Sequence, residues 1–356
     1  MSTVVDKETS QSWRAVAEWY HSFFTGMVLS AVTRKGTSSA AELVYRVFCK
    51  QRQQRFLKGL EKLGIDKLPA AVKAAQYHYL SNNIGGVSVE YMYESDRKAW
   101  IRYTPPRWIW AGTALCGIPS EVSTAMVLGW HSQNGVTLGN PRLGFVCTKQ
   151  TADGQSGLEG YYYEYDKPLE PHERLRFLRN EDAPDFDPAK APTLPTSDWP
   201  QARVEKASRN YAMEYVRTTL PTAVDLYGPY EAVSLLRLSA RQVGMQCYHE
   251  AAERLGVAKD KSLASFVDFL TKLARAQSDE VTVRETGEGV VITQTTWSLF
   301  ANAKDINPAV FDAWNGLLEG AADAHNHRLT LTVTKRDVTN THFEWLVSEP
   351  ARNGSR

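Results

Sequence analysis

The apolar and polar positions of this chain fall into blocks, and the blocks come twice. The first part carries the pattern of three or four helices. Residues 87–104 then read as a strand or hairpin, 119–132 as a further helix, and 142–149 with 159–166 as a closing hairpin. Helices over 201–278, strands over 281–296, a helix over 307–324 and a hairpin of 328–336 with 341–348 follow in the same order.

The blocks also match residue by residue. At an offset of 192, Ala31-Val32 falls on Ala223-Val224, Gly36 on Gly228, Ala40 on Ala232, Leu43 on Leu235 and Gln54 on Gln246. At the same offset Glu61-Lys62-Leu63-Gly64 falls on Glu253-Arg254-Leu255-Gly256, a helix stopped by a glycine in both places. Val87-Ser88-Val89 matches Val281-Thr282-Val283, and Trp108 sits near Trp297. At an offset of 186, the run Arg142 to Lys149 matches Arg328 to Lys335, and Tyr163-Glu164-Tyr165 is set against Phe343-Glu344-Trp345. A fixed order of matches over so long a stretch marks an internal repeat.

Strands that follow helices in blocks predict an α+β fold. The expectation is two tandem copies of a helical layer on an antiparallel sheet, packed as a pseudo-twofold dimer. Residues 1–178 form the first repeat, the expected working copy, and 201–350 the second, degenerate one; 351–356 is a tail. Between them 179–200 is rich in proline and acidic residues and nearly free of large apolar ones, which predicts a linker or a strap over the surface.

Charge narrows the partners. Lys+Arg 41 against Asp+Glu 40 leaves a net charge of +1, no field to gather phosphate backbones or anionic lipid, so neither nucleic acid nor membrane is expected. No apolar run approaches the roughly 18 residues that span a bilayer. The polar stretch Met1 to Gln11 does not read as a signal peptide, and Cys49, Cys116, Cys147 and Cys247 are spaced for neither zinc nor a disulfide framework. A cytoplasmic protein with reduced thiols is expected, acting on a small molecule without a cofactor; homo-oligomerisation is left open.

The order of elements, with the small-residue helix segment Ala240-Arg241-Gln242-Val243-Gly244-Met245-Gln246 ending at Leu255-Gly256 and the hairpin Arg328 to Val347, resembles the 4-vinyl-reductase-like (V4R) and 2-aminothiazoline-4-carboxylate hydrolase-like group. That resemblance implies binding of small, often aromatic molecules, or hydrolysis of small heterocycles. Members often carry a cysteine in the last strand, where this chain has Tyr163 and Phe343; chemistry resting on that thiol is not expected here.

The first repeat is the chemically richer. Arg102 to Trp110 sets two tryptophans, a tyrosine, two arginines and a Pro-Pro turn where the second repeat has a plain strand end, and aromatics with polar tips suit a ligand pocket. Trp108, Trp110, Tyr93, Asn134 and Tyr163 are therefore expected to bind substrate, against the plain alternative that the tryptophans are core. His131, near the helix end that Asn134-Gly135 should terminate, would have a raised pKa and serve as general acid or base; a capping histidine is the alternative. Cys116, in the turn before that helix, is the candidate nucleophile, with structural burial as its alternative. Together these residues predict a hydrolase or lyase, with non-catalytic binding or sensing as the competing function. No metal site is expected: His325 and His327 share a strand face, but His342 lies too far along the hairpin to complete one. Tyr161, Tyr163 and Tyr165 share one strand face, expected to be the buried one, and Glu164 and Glu344 are expected to pair across their hairpins with Arg142 and Arg328.

Overall fold

The computed structural model describes residues 7–195 and 197–349. The chain forms two compact units: a central one, Ala31–Ala207, and a terminal one made of the chain up to Ser30 together with the chain from Ser208 onward. These divisions differ from the sequence repeats, because helix α1 (Lys7–Lys35) contributes its length up to Ser30 to the terminal unit. Among the described residues no helix is long and apolar enough to cross a membrane.

The central unit continues with α2 (Thr37–Leu63), α3 (Ala70–Ile84), β1 (Val89–Ser95), β2 (Lys98–Tyr103), α4 (Ser120–Gly129), α5 (Asn134–Thr137), β3 (Leu143–Lys149), β4 (Leu158–Glu164) and β5 (Leu175–Phe177). The terminal unit holds most of α6 (Gln201–Tyr227), then α7 (Pro229–Arg254), α8 (Leu263–Ala276), β6 (Val281–Thr286), β7 (Gly289–Gln294), α9 (Pro308–His325), β8 (Thr330–Asp337) and β9 (His342–Ser348). Its sheet runs β6-β7-β9-β8 and is antiparallel throughout. The central sheet runs β1-β2-β4-β3-β5, with β5 added parallel to β3, an edge strand that the proline-rich composition around it conceals. The α+β class is as expected, with two largely antiparallel sheets.

Matching positions do matching physical work in the two units. Gly36 and Gly228 precede α2 and α7 with φ of 85° and 80°, a backbone region that costs a residue with a Cβ but not glycine. Where α4 crosses α2, a Cβ on Gly129 would stand 2.7 Å from the Tyr45 carbonyl; where α9 crosses α7, one on Gly316 would stand 2.5 Å from the Arg237 carbonyl. Tyr45 and Arg237 are again 192 apart.

The ladders correct the alignment of the last hairpins. In the central sheet the register shifts between Cys147, opposite Gly160, and Lys149, opposite Glu159. In the terminal sheet the same shift lies between Val333, opposite Trp345, and Lys335, opposite Glu344. The counterpart of Phe343-Glu344-Trp345 is therefore Leu158-Glu159-Gly160, not Tyr163-Glu164-Tyr165. The slip also reverses the tyrosine face. Tyr162 is the one turned into the helical layer, fully buried, while Tyr161 and Tyr163 lie on the opposite face with Met92, Trp100 and Val146. Ala183 and Phe186, from the expected strap, cover that second face. The Arg142–Glu164 pair forms as expected, but Glu344 pairs with His342 at 3.1 Å instead of with Arg328.

Glu159, buried within the sheet, anchors the strap. Its Oε1 accepts from Thr148 Oγ1 at 2.8 Å, Lys149 Nζ at 3.2 Å and the Ala183 backbone N–H at 3.2 Å, and its Oε2 faces Arg102 at 3.5 Å. Lys149 also binds the Glu181 carbonyl and the Asp182 carboxylate. A carboxylate this enclosed persists because cations and donors satisfy it. Arg102 also pairs with Glu90, at 2.5 Å.

Candidate functional site

Five polar side chains meet between the sheet and helices of the central unit: His78 from α3, Tyr103 from the end of β2, His131 and Asn134 from the segment after α4, and Tyr162 from β4. All five are buried. What places His131 and Asn134 there is an interruption. In the terminal unit α9 runs unbroken past Gly244 of α7, which lies directly under the Leu317 carbonyl. At the offset of 192, Arg52 stands in place of Gly244. Its guanidinium enters the helix contact, donating Nε to the Gly129 carbonyl at 3.2 Å and NH1 to the Gln133 carbonyl at 3.2 Å and to Thr137 Oγ1. With those carbonyls taken, α4 stops at Gly129, a short turn of 3-10 helix follows over His131–Gln133, and α5 begins at Asn134. Asn134-Gly135 was expected to end the helix; Gly135 instead lies within α5, packed against the Leu143 carbonyl.

The hydrogen bonds form a closed circuit. Asn134 Nδ2 donates to His78 Nε2 at 3.0 Å and to the Tyr162 hydroxyl at 2.9 Å. His131 Nδ1 lies 2.7 Å from the Tyr162 hydroxyl, and the Tyr103 hydroxyl lies 3.1 Å from His78 Nδ1 and 3.5 Å from His131 Nε2. Because His78 Nε2 accepts from the amide, its proton sits on Nδ1 and is donated to Tyr103. The imidazoles stack on each other with centroids 4.1 Å apart, and His131 stacks on Phe145 at 4.7 Å. Both amide hydrogens of Asn134 are used, yet its Oδ1, in a side chain with 0% exposure, has no hydrogen-bond partner.

Electrostatics correct the expected behaviour of His131. Burial drives its pKa down to about 3, and the Arg107 cation, whose guanidinium also stands 4.9 Å over the Tyr103 ring, adds to the fall. Burial lowers His78 in the same direction, with His131 adding to it, and pushes Tyr162 up. The helix-end field that would raise a histidine is outweighed by the loss of water, so both rings are neutral near pH 7.

The other expected residues lie apart from this circuit. Cys116 is exposed in the 3-10 helix Gly112–Gly117, neither buried nor, among the described residues, hydrogen-bonded to the cluster. Tyr93 is 56% exposed and donates to Asp96 at 3.0 Å. Tyr163, on the far face of the sheet, packs edge-on against Tyr165 beneath Arg97. Trp108 is half-buried, and Trp110 is buried with φ 61°, strained for an aromatic residue. Of the expected set, only His131 and Asn134 meet. The expected set lacks His78 and Tyr162; the signal for Tyr162 is its pairing with Phe145 across the bulged ladder, which puts it on the face opposite Tyr161 and Tyr163.

In the terminal unit the positions matched by these ladders and offsets are Leu270 for His78, Gln294 for Tyr103, Leu318 for His131, Ala321 for Asn134 and Val347 for Tyr162. That unit has a buried histidine elsewhere: His325 takes the Tyr248 hydroxyl at 2.6 Å and faces the Ser262 carbonyl at 2.8 Å. A carbonyl can only accept, so Nε2 carries the proton and is not free to act as a base toward Ser265, 3.4 Å away. It braces the start of α8. Among the described residues no three His, Cys, Asp or Glu side chains gather as metal ligands. Compared with known proteins, the chain matches no family model, no curated protein and no solved structure.

Proposed function

We propose that the central unit binds a small molecule at the His78–Tyr103–His131–Asn134–Tyr162 cluster, and that binding rather than hydrolysis is its function. The carrying observation is the contrast in the core: five hydrogen-bonding side chains stand where the matching positions of the terminal unit are Leu, Gln, Leu, Ala and Val. The terminal unit closes with four apolar residues and one glutamine there, so a five-membered polar set is not a requirement of packing. The same reading takes the two units as descendants of one, with the terminal unit as the plain copy, and agrees with the resemblance to the V4R-like group. Hydrolysis finds less support, because the neutral imidazole of His131 resists protonation until about pH 3 and no described contact brings Cys116 to it.

The segment from Thr104 to Gly117, which carries Arg107 at its start and is exposed over much of its length, borders Tyr103 and offers the route of entry. The test is native mass spectrometry of the purified protein, joined to a thermal-shift screen of neutral aromatic and heterocyclic compounds. The expected result is a compound that stabilises the wild type by several degrees and leaves His131→Leu unaffected. A screen with no hit, or hits that stabilise both proteins equally, overturns the reading.

A further inference from the structure

We infer that the ligand is a neutral molecule that donates one hydrogen bond, from N–H or O–H, to Oδ1 of Asn134; this deepens the binding reading above and rests on it. The argument is an accounting of donors. Every other polar atom that this side chain offers is matched: one amide hydrogen goes to His78 Nε2 and the other to the Tyr162 hydroxyl. Turning the amide over would set Oδ1 against His78 and Tyr162 and leave the Nδ2 hydrogens without acceptors. The circuit would then ask Tyr103 to give its single hydrogen to both histidines or set the Tyr162 oxygen against Oδ1, so the orientation with Oδ1 bare is the consistent one. A buried carbonyl oxygen with no donor is costly, and the missing group is by definition a donor.

The surroundings set the charge of that donor. The cluster holds no carboxylate, and the charged group felt by His131 is a cation, Arg107. An ammonium or amidinium placed beside it would be repelled and unpaired, whereas a pyrrole-type N–H or a phenolic O–H asks for no counter-ion. The neighbours are aromatic: Phe145, Tyr103 and the two imidazoles pack around the cluster, and a donor carried on an aromatic ring would join rings of its own kind.

Isosteric pairs that differ only in the donor provide the test. Binding of pyrrole against furan, and of indole against benzofuran, is measured calorimetrically on the full chain at millimolar ligand. The N–H member is expected to bind at least about tenfold more tightly than its oxygen isostere, since an unmade bond to a buried acceptor is worth about 1.4 kcal/mol or more. In Asn134→Leu the two members should bind alike; should that variant fail to fold, the wild-type ratio decides alone. Equal binding within each pair overturns the donor inference while leaving the small-molecule reading standing. Binding of none of the four overturns the inference as well, and the broader screen then decides the reading it rests on.

Discussion

Burial acts on individual ionisable groups here in opposite directions, and the pH dependence of stability follows from the sign. His131 is held down to about 3 in the fold against an ordinary 6.5. Its contribution is present in full above pH 6.5 and is lost as pH falls, because the unfolded chain takes up the proton that the fold refuses. His78 acts in the same sense. The unfolding free energy of the wild type, from denaturant titrations, should therefore drop between pH 6.5 and 4, by about 1.4 kcal/mol per pH unit from His131 with His78 steepening the fall, and less steeply in His131→Gln. Asp279 is the reverse case. Its buried carboxylate, with Oδ1 accepting from the Ser298 N–H at 2.6 Å and Oδ2 without a hydrogen-bond partner, is pushed up to about 6 by desolvation. A raised carboxylate favours the fold below pH 3.8 and withdraws that support as pH climbs through 6. Asp279→Asn, whose amide oxygen keeps the bond from Ser298, is expected to stabilise the protein by about 2 kcal/mol at pH 8 and to be neutral near pH 3.5; urea titrations at the two pH values check both halves.

At the level of elements, the decisive contrast is between Arg52 and Gly244. One matched position lets α9 pass unbroken; the other admits a guanidinium that stops α4. Arg52→Ala would leave the Gly129 and Gln133 carbonyls without their donor in a buried place, and a loss of about 2–3 kcal/mol is expected by thermal unfolding. The same variant should weaken any ligand of the central unit, since it frees the segment that positions His131 and Asn134. Gly316→Ala would drive a methyl group into the Arg237 carbonyl and cost about 1–3 kcal/mol as α9 backs away from α7. The element order was legible in the sequence because periodicity is carried by many residues at once; the helix expected over 307–324 was placed to within a residue of α9, whereas the one expected over 119–132 overran α4, which stops at Gly129. The site was not. His131 and Asn134 were picked out by their place at a helix end, but the side chains that meet them depended on a single-residue bulge after Cys147, and a slip in a strand exchanges every side chain between its two faces. Tyr163 and Tyr93 were chosen on the wrong side of that slip or at its open edge, and Arg52 carried no signal until its counterpart proved to be a glycine.

For the whole chain, the division at Ser30 and Ser208 means that the sequence repeat and the compact unit are not the same piece of polypeptide. A fragment of residues 31–207 carries the complete central sheet with its strap. A fragment cut at residue 178 keeps Trp100, Tyr161 and Tyr163 but loses Ala183 and Phe186, which cover them. The first is expected to unfold cooperatively in calorimetry, and the second to bind a hydrophobic dye and aggregate. A finding that both behave alike would show the strap to be dispensable.

Of the three thiols of the central unit, Cys116 and Cys147 sit in opposite circumstances. Cys147 is sealed in the sheet, its Sγ turned to the Lys149 carbonyl and its pKa pushed up to about 12, whereas Cys116 stands in open solvent. An alkylating reagent should thus mark Cys116 within seconds and reach Cys147 only when the sheet parts, so the lag between the two masses in a labelling time course becomes a clock for the opening of this half of the protein.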